Sequence, residues 1–105
     1  MKKYISVFVT VPDKKTSKKI VDSVLNRKLA ACASVLGGVS SSYWWKGKIE
    51  SSKELMLIMK TVKSKFKKLE KDIKENHPYD TPEIIAFDIV AANADYLKWI
   101  KEYAQ

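Results

Sequence analysis

Two runs of strand-forming residues, Ala30 to Trp45 and Ile49 to Met59, are separated only by Lys46-Gly47-Lys48. That spacing constrains the fold more than any other feature of the chain. Small and β-branched residues fill the first run, and Leu55-Met56-Leu57-Ile58-Met59 ends the second. Two long strands joined by a tight turn make a β-hairpin. Gly37-Gly38 falls inside the first strand, where glycine marks a bulge or bend rather than an end. A chain of 105 residues holds material for one core, so residues 1–105 read as a single domain. The hairpin therefore overhangs the domain that carries it. Trp44 and Trp45 stand at its tip, and its edge strands lack partners. Pairing those edges in a closed ring of identical chains would remove the aggregation hazard and bury the aromatics.

Periodicity places the other elements. Ile5, Val7, Val9 and Val11 alternate with Ser6 and Thr10, which predicts a first strand over Tyr4 to Val11. Pro12-Asp13 ends it, with Asp13 or Thr16 as the cap of a helix marked by Ile20, Val24 and Leu25. Phe66, Leu69 and Ile73 mark a second helix. It ends near His77, because Pro78 disfavours helical geometry in the residue before it. Ile84 to Val90 reads as the last strand. Tyr96, Trp99, Ile100 and Tyr103 then form one stripe of a short helix capped by Asn93 or Asp95. The order β-α-β-β-α-β predicts an α+β, ferredoxin-like fold, with an antiparallel sheet, helices on one face and an added C-terminal helix.

The formal charge of +8 raises nucleic acid or an anionic membrane as partners. The excess sits in two lysine-rich segments, 13–28 and 63–76, both helical by periodicity, whereas 77–105 is acidic. The same strand order serves the RNA-recognition module, which reads bases through a K/R-G-F/Y-G/A-F-V-x-F/Y run on its sheet. Tyr43-Trp44-Trp45-Lys46-Gly47 does not match that run. The lysines therefore read as a solvated face, no nucleic-acid partner is expected, and an RNA-binding module ranks last among the readings. No apolar run approaches the roughly 18 residues of a membrane span. The opening MKKYISVFVTV imitates a signal peptide but runs into Pro12-Asp13-Lys14-Lys15 without a small-residue cleavage site. A single cysteine, Cys32, excludes an intramolecular disulfide and fits a reducing compartment, so a cytoplasmic protein is expected.

Candidate chemistry is sparse. Cys32 and His77 are the only soft or imidazole ligands, and no zinc-type spacing occurs. A copper or other divalent site would have to use Cys32, His77 or a nearby carboxylate, even across a subunit boundary. The densest cluster is His77-Pro78-Tyr79-Asp80-Thr81-Pro82-Glu83, where two prolines stiffen a loop bearing an imidazole, a phenol and two carboxylates. Such stiffness suits a binding site with preset geometry. No G-x-S-x-G and no phosphate-cradling glycine loop occurs, so no catalysis is expected.

AACASV, SYWWKGKIE, LMLIMKT, HPYDTPEI and DYLKWI occur in the order and spacing of the CutA family, between Val11 and about Ile100. The chain resembles that family, whose specific motifs are HPYDTPEI and the Y-W-x-G-K-I hairpin. The resemblance implies a homotrimer, similar in architecture to the PII signal-transduction proteins, with long strands paired between subunits. It also implies a role in divalent-cation tolerance, often described as copper binding. The matching positions are Cys32, Tyr43, Trp45, Lys60, His77, Tyr79, Glu83 and Trp99. By resemblance, Lys60, His77, Tyr79, Glu83 and Trp45 belong to an inter-subunit cleft, and Tyr43, Trp44, Trp45 and Trp99 to the trimer interface. Some bacterial members carry a cysteine and a second histidine, proposed as copper ligands, where this chain has Val9 and Asn76. Of that set only His77 is present. The expectation is a homotrimer taking a divalent metal or a small ligand in its cleft. The alternative is a signalling trimer that holds a small anion through Lys60 and His77 without a metal role.

Overall fold

Alternation along the first strand, β1 (Tyr4–Val11), decides where the core lies. Ile5, Val7, Val9 and Val11 are at most 2% exposed. The computed structural model describes residues 3–105 and continues through α1 (Lys14–Asn26), β2 (Cys32–Trp45) and β3 (Lys48–Val62). A 3-10 turn at Lys63–Lys65 leads into α2 (Phe66–Asn76), followed by β4 (Ile84–Asp88) and α3 (Ala94–Tyr103). The sheet order is β2-β3-β1-β4, antiparallel at every pairing, which is the ferredoxin-like arrangement that the periodicity predicts.

One face of the sheet is covered by the helices over its central strands, while Val35 on the edge strand stays 48% exposed. The inward residues of β1 join Leu57 and Met59 of β3, Ile20 and Val24 of α1, and Leu69 and Ile73 of α2 in one cluster. Asp72 ties the two helices together. It is 2% exposed, its Oδ1 accepts the Ser23 hydroxyl at 3.0 Å, and Arg27 Nη1 lies 3.3 Å away. Asp13 is the cap of α1, its Oδ1 accepting the Thr16 N–H at 2.8 Å. Asn93 caps α3 by accepting the N–H groups of Asp95 and Tyr96.

The other face is largely open. Val62 alternates away from Leu57 and Met59, and with Ile100 and Ala104 it makes a second small cluster where α3 covers one end. Beyond α3 the open face carries Leu36, Ile85 and Phe87, 47%, 43% and 52% exposed. Phe8 meets Phe87 edge to face at 5.2 Å. The last strand is shorter than its composition predicts, ending at Asp88 rather than Val90. The Ile89 N–H still donates to the Tyr4 oxygen at 2.9 Å, but β1 then has no further residue to pair, and the chain turns toward α3. The molecule measures 44 × 26 × 23 Å and exposes 7030 Å². A compact monomer of this mass exposes about 6,000 Å². The excess belongs to the hairpin and the open face.

Candidate functional site: an acidic, aromatic groove beneath the hairpin

The hairpin tip is set by its turn. Lys46 and Gly47 both have positive φ, 50° and 79°, and Trp45 pairs directly with Lys48. Positive φ at both central residues defines the type I′ turn, whose twist matches that of paired strands.

A second glycine decides which side chains face the groove. Leu36 pairs with Met56 but Val39 pairs with Glu54, so β2 carries one extra residue at Gly37-Gly38. Gly38 sits at φ +71° with open space where a Cβ would project. The extra residue shifts the phase of everything beyond it, because directly opposed residues share a face. Tyr43 therefore faces the same way as Glu50, its partner, and Trp45 the same way as Lys48.

The opposite wall is the 77–83 loop, and His77 fixes it. His77 is 8% exposed. Its Nε2 bonds the Thr10 carbonyl at 2.8 Å, and its Nδ1 accepts the Tyr79 N–H at 3.2 Å. The carbonyl can only accept, so Nε2 carries the proton and the ring is a neutral imidazole with both nitrogens engaged. Tyr79 then reaches across to the hairpin, donating its hydroxyl to Glu54 Oε2 at 2.7 Å. Burial, reinforced by that hydrogen bond to Glu54, pushes the Tyr79 phenol well above its ordinary pKa. The phenol thus remains a donor across the physiological range.

Between these walls lies an open groove of about 1020 Å³, lined by Ser40 to Trp45, Glu50 and Glu54 on the hairpin side and by Pro78 to Thr81 and Glu83 on the loop side. Four carboxylates line it, and no lysine, arginine or histidine does. The contrast is sharp in a chain with 20 Lys and Arg. None of Glu50, Glu54, Asp80 and Glu83 is in an ion pair among the described residues.

The structure brings together some of the residues singled out in the sequence and separates others. Tyr43, Trp44, Trp45, Tyr79 and Glu83 share the groove. His77 supports the loop from behind and is not part of the lining. Lys60 lies opposite Ser6 and Cys32, six residues along β3 from Glu54, or about 20 Å. Within one chain Lys60 therefore does not approach Glu83 or Tyr79. Cys32 stands at that same distant end, its Sγ 3.6 Å from the Tyr96 hydroxyl. That hydrogen bond, with burial behind it, raises the Tyr96 pKa. Cys32 and His77 are thus held apart, and among the described residues no three His, Cys, Asp or Glu side chains converge on one point. Trp99 stacks between Tyr96 and Tyr103 on α3, at centroid distances of 5.6 and 5.8 Å, away from the hairpin tryptophans. Val9 is in the core, and Asn76 donates to the Asp72 carbonyl.

Two of the four groove carboxylates escape the sequence reading. Glu50 and Glu54 lie in strand segments whose pattern reports pairing, not charge. The visible signal was Glu54 itself, a lone acid directly before the apolar run Leu55 to Met59.

Fold and groove together define a small ferredoxin-like domain with an overhanging hairpin. Residues 5–103 match the family described as CutA1 divalent ion tolerance protein, and the chain belongs to that family. It is 45% identical over 98 residues to the divalent-cation tolerance protein CutA of Pyrococcus horikoshii, covering 93% of this chain and 95% of that protein. It is 44% identical over 97 residues to the chloroplastic protein CutA 1 of rice, covering 92% of this chain and 55% of that protein. The chain spans about half the length of that relative and of its Arabidopsis counterpart, at 55% and 53%. A solved CutA1 structure from Thermus thermophilus superposes with a TM-score of 0.95 at 35% identity, covering 97% of this chain and 99% of that one. A periplasmic divalent cation tolerance protein CutA from Archaeoglobus fulgidus superposes with a TM-score of 0.94 at 33% identity, with the same coverage. Among the described residues no helix is long and apolar enough to cross a membrane.

Proposed function

We propose that this chain is the subunit of a homotrimer acting in divalent-cation tolerance, and that it works by binding a cation rather than by catalysis. The observation that carries the cation is the groove lining: four carboxylates and no cationic side chain. That lining disfavours the alternative of a small anion held by Lys60 and His77. Lys60 is remote from the groove in one chain, and His77 has no free ring nitrogen. The resemblance to the CutA family supplies the number three, and the open face with Leu36, Ile85 and Phe87 supplies apolar surface for neighbouring copies to cover. Trp44, 72% exposed at the hairpin tip, fits the same role. The lone Cys32, unpaired in the chain, supports a reducing compartment, and we place the protein in the cytoplasm.

Copper or another divalent ion does not fit Cys32 and His77 of a single chain, because they lie at different ends of the sheet. A divalent ion bound to this protein would take groove carboxylates, with further donors from a second copy. Calorimetric titration with Cu²⁺ tests this. Saturable binding that weakens in Glu54→Gln and Glu83→Gln but survives His77→Ala is expected. No saturable binding, or binding lost only with His77, would contradict it.

A further inference from the structure

The helical layer on the covered face of the sheet carries a charge that the chain itself does not balance. The acids of segments 13–28 and 63–76 are Asp13, Asp22, Glu70, Asp72 and Glu75. Among the described residues all but Glu75 are already engaged. Asp13 caps α1, Asp22 pairs with Lys18 at 2.9 Å, and Glu70 lies 3.8 Å from Lys67. Asp72 is buried against Ser23 and Arg27. Lys14, Lys15 and Lys19 of α1 and Lys68, Lys71 and Lys74 of α2 are exposed. Among the described residues none of them has a carboxylate within ion-pair distance.

Helical spacing gathers these lysines on one outward surface. Ile20 and Val24 of α1 and Leu69 and Ile73 of α2 point into the core. That turns Lys15, Lys19, Lys68 and Lys71 toward the solvent side of their helices. The 3.0 Å hydrogen bond from Ser23 to Asp72 holds the two helices side by side. Together they make a basic plate roughly 20 Å long, the length of α1. Along it Lys15 and Lys19, like Lys67 and Lys71, are like charges one turn apart, which destabilises a helix. Neither helix has an acidic residue in its first turn, so lysines oppose the dipole at both N-terminal ends. Lys67, Lys71 and Lys74 also border an open hollow of about 350 Å³, together with Glu70 and Glu75. The plate repels itself, and an anionic partner relieves that repulsion.

The side chains define the kind of anion. Arg27, the chain's one arginine, is held by Asp72, so the plate offers ammonium groups and no free guanidinium fork. Lysine meets phosphate as a point charge, without demanding one orientation. Among the described residues no exposed aromatic lies on α1 or α2, so nucleic-acid bases find nothing to stack on. Leu25 is the one large hydrophobic exposed on these helices among the described residues, too little apolar surface to anchor in a bilayer. In the trimer proposed above the open sheet face is covered, so three such plates point outward in different directions. A flexible chain of phosphates reaches all of them and gains by multivalency. A flat bilayer, or duplex DNA that is stiff over about 500 Å, meets one plate at a time.

We propose that the outer face of α1 and α2 binds inorganic polyphosphate, its phosphate oxygens meeting Lys15, Lys19, Lys68 and Lys71. This surface stands apart from the groove. It rests on the trimer reading only for the passage of one polyphosphate chain from copy to copy.

Fluorescently labelled long-chain polyphosphate is titrated with the full chain and its variants, and anisotropy is followed from low to physiological salt. Saturable binding that weakens steeply as salt rises is expected. Lys15→Glu with Lys19→Glu, and Lys68→Glu with Lys71→Glu, should each weaken it about tenfold or more. Lys98→Glu with Lys101→Glu makes the same change in net charge on α3 and should leave the affinity within about twofold. All these positions are exposed, so the variants keep their fold, which circular dichroism checks. No binding at low salt overturns the proposal. An equal loss in the α3 variant also overturns it, because the effect then follows net charge and not the plate. Tighter binding, per phosphate, to single-stranded RNA, duplex DNA or phosphatidylserine vesicles assigns the plate to that partner and overturns it as well. Oligomer mass is read on the same samples: if the protein runs as a monomer while the plate still binds, the trimer reading falls and this one stands.

Discussion

The two halves of β3 belong to different environments. From Leu57 to Val62 alternate side chains are sealed between β1, β2 and the two helices, with Leu57, Met59 and Thr61 fully buried. From Lys48 to Lys53 the same strand has only β2 beside it, and Ile49 is 65% exposed. The inner half is stabilised by its own chain. The outer half is held by one neighbouring strand, a type I′ turn and a tyrosine reaching from a distant loop. A strand extended this far beyond its core has its use outside that core, which here is one wall of the groove and, in the trimer proposed above, surface for neighbouring copies.

Substitutions should therefore have unequal effects along one strand. The largest belongs to Leu57→Ala in the sealed half, expected to cost about 3 kcal/mol of unfolding free energy in denaturant titration. Ile49→Ala, near the tip, should cost under about 0.5 kcal/mol within the protomer; a comparable loss at both sites would erase the distinction. Next comes Tyr79→Phe, which removes the only donor to a nearly buried Glu54 among the described residues and unlatches the loop from the hairpin. A cost of about 1.5 kcal/mol is expected, together with faster amide exchange in 77–83, and unchanged exchange there would show that the latch is not the hydroxyl. Gly38→Ala meets no steric obstacle but places a Cβ at positive φ, for about 1 kcal/mol. A neutral result would mean that the bulge tolerates side chains.

The smallest effect is a pH dependence at Asp13. Accepting the Thr16 N–H lowers its pKa in the folded chain. A depressed carboxyl adds stability that is present above its unfolded value of about 3.9 and is lost as pH falls through the folded value. Below about pH 4 the start of α1 should loosen, and Asp13→Ala should flatten that part of the stability profile. An Asp13→Ala profile that keeps the wild-type slope would assign the titration elsewhere.

What the residues revealed follows a physical divide. Ile5 to Val11 announced a half-buried strand because alternation is a local property, and Lys46-Gly47 announced the turn because positive φ selects for few residue types. Glycines at 37 and 38 marked the bulge, though not its consequence, since which side Tyr43 and Trp45 face depends on the partner strand's register. His77 shows the opposite limit. Its stiff, polar neighbourhood suggested a ligand, whereas its ring is consumed by Thr10 and Tyr79, and a hydrogen bond to a residue 67 positions away leaves no local trace. Glu54 was overlooked for the same reason: its meaning comes from Tyr79, on another element.

Completion of the open face and the overhanging hairpin by other copies of the chain underlies the function proposed for the groove. Light scattering coupled to size exclusion measures this directly. A single species at three times the 12.0 kDa chain mass, falling toward the monomer when Phe87→Glu places a charge on the open face, is the predicted result. A stable 12.0 kDa monomer at micromolar concentration would contradict it.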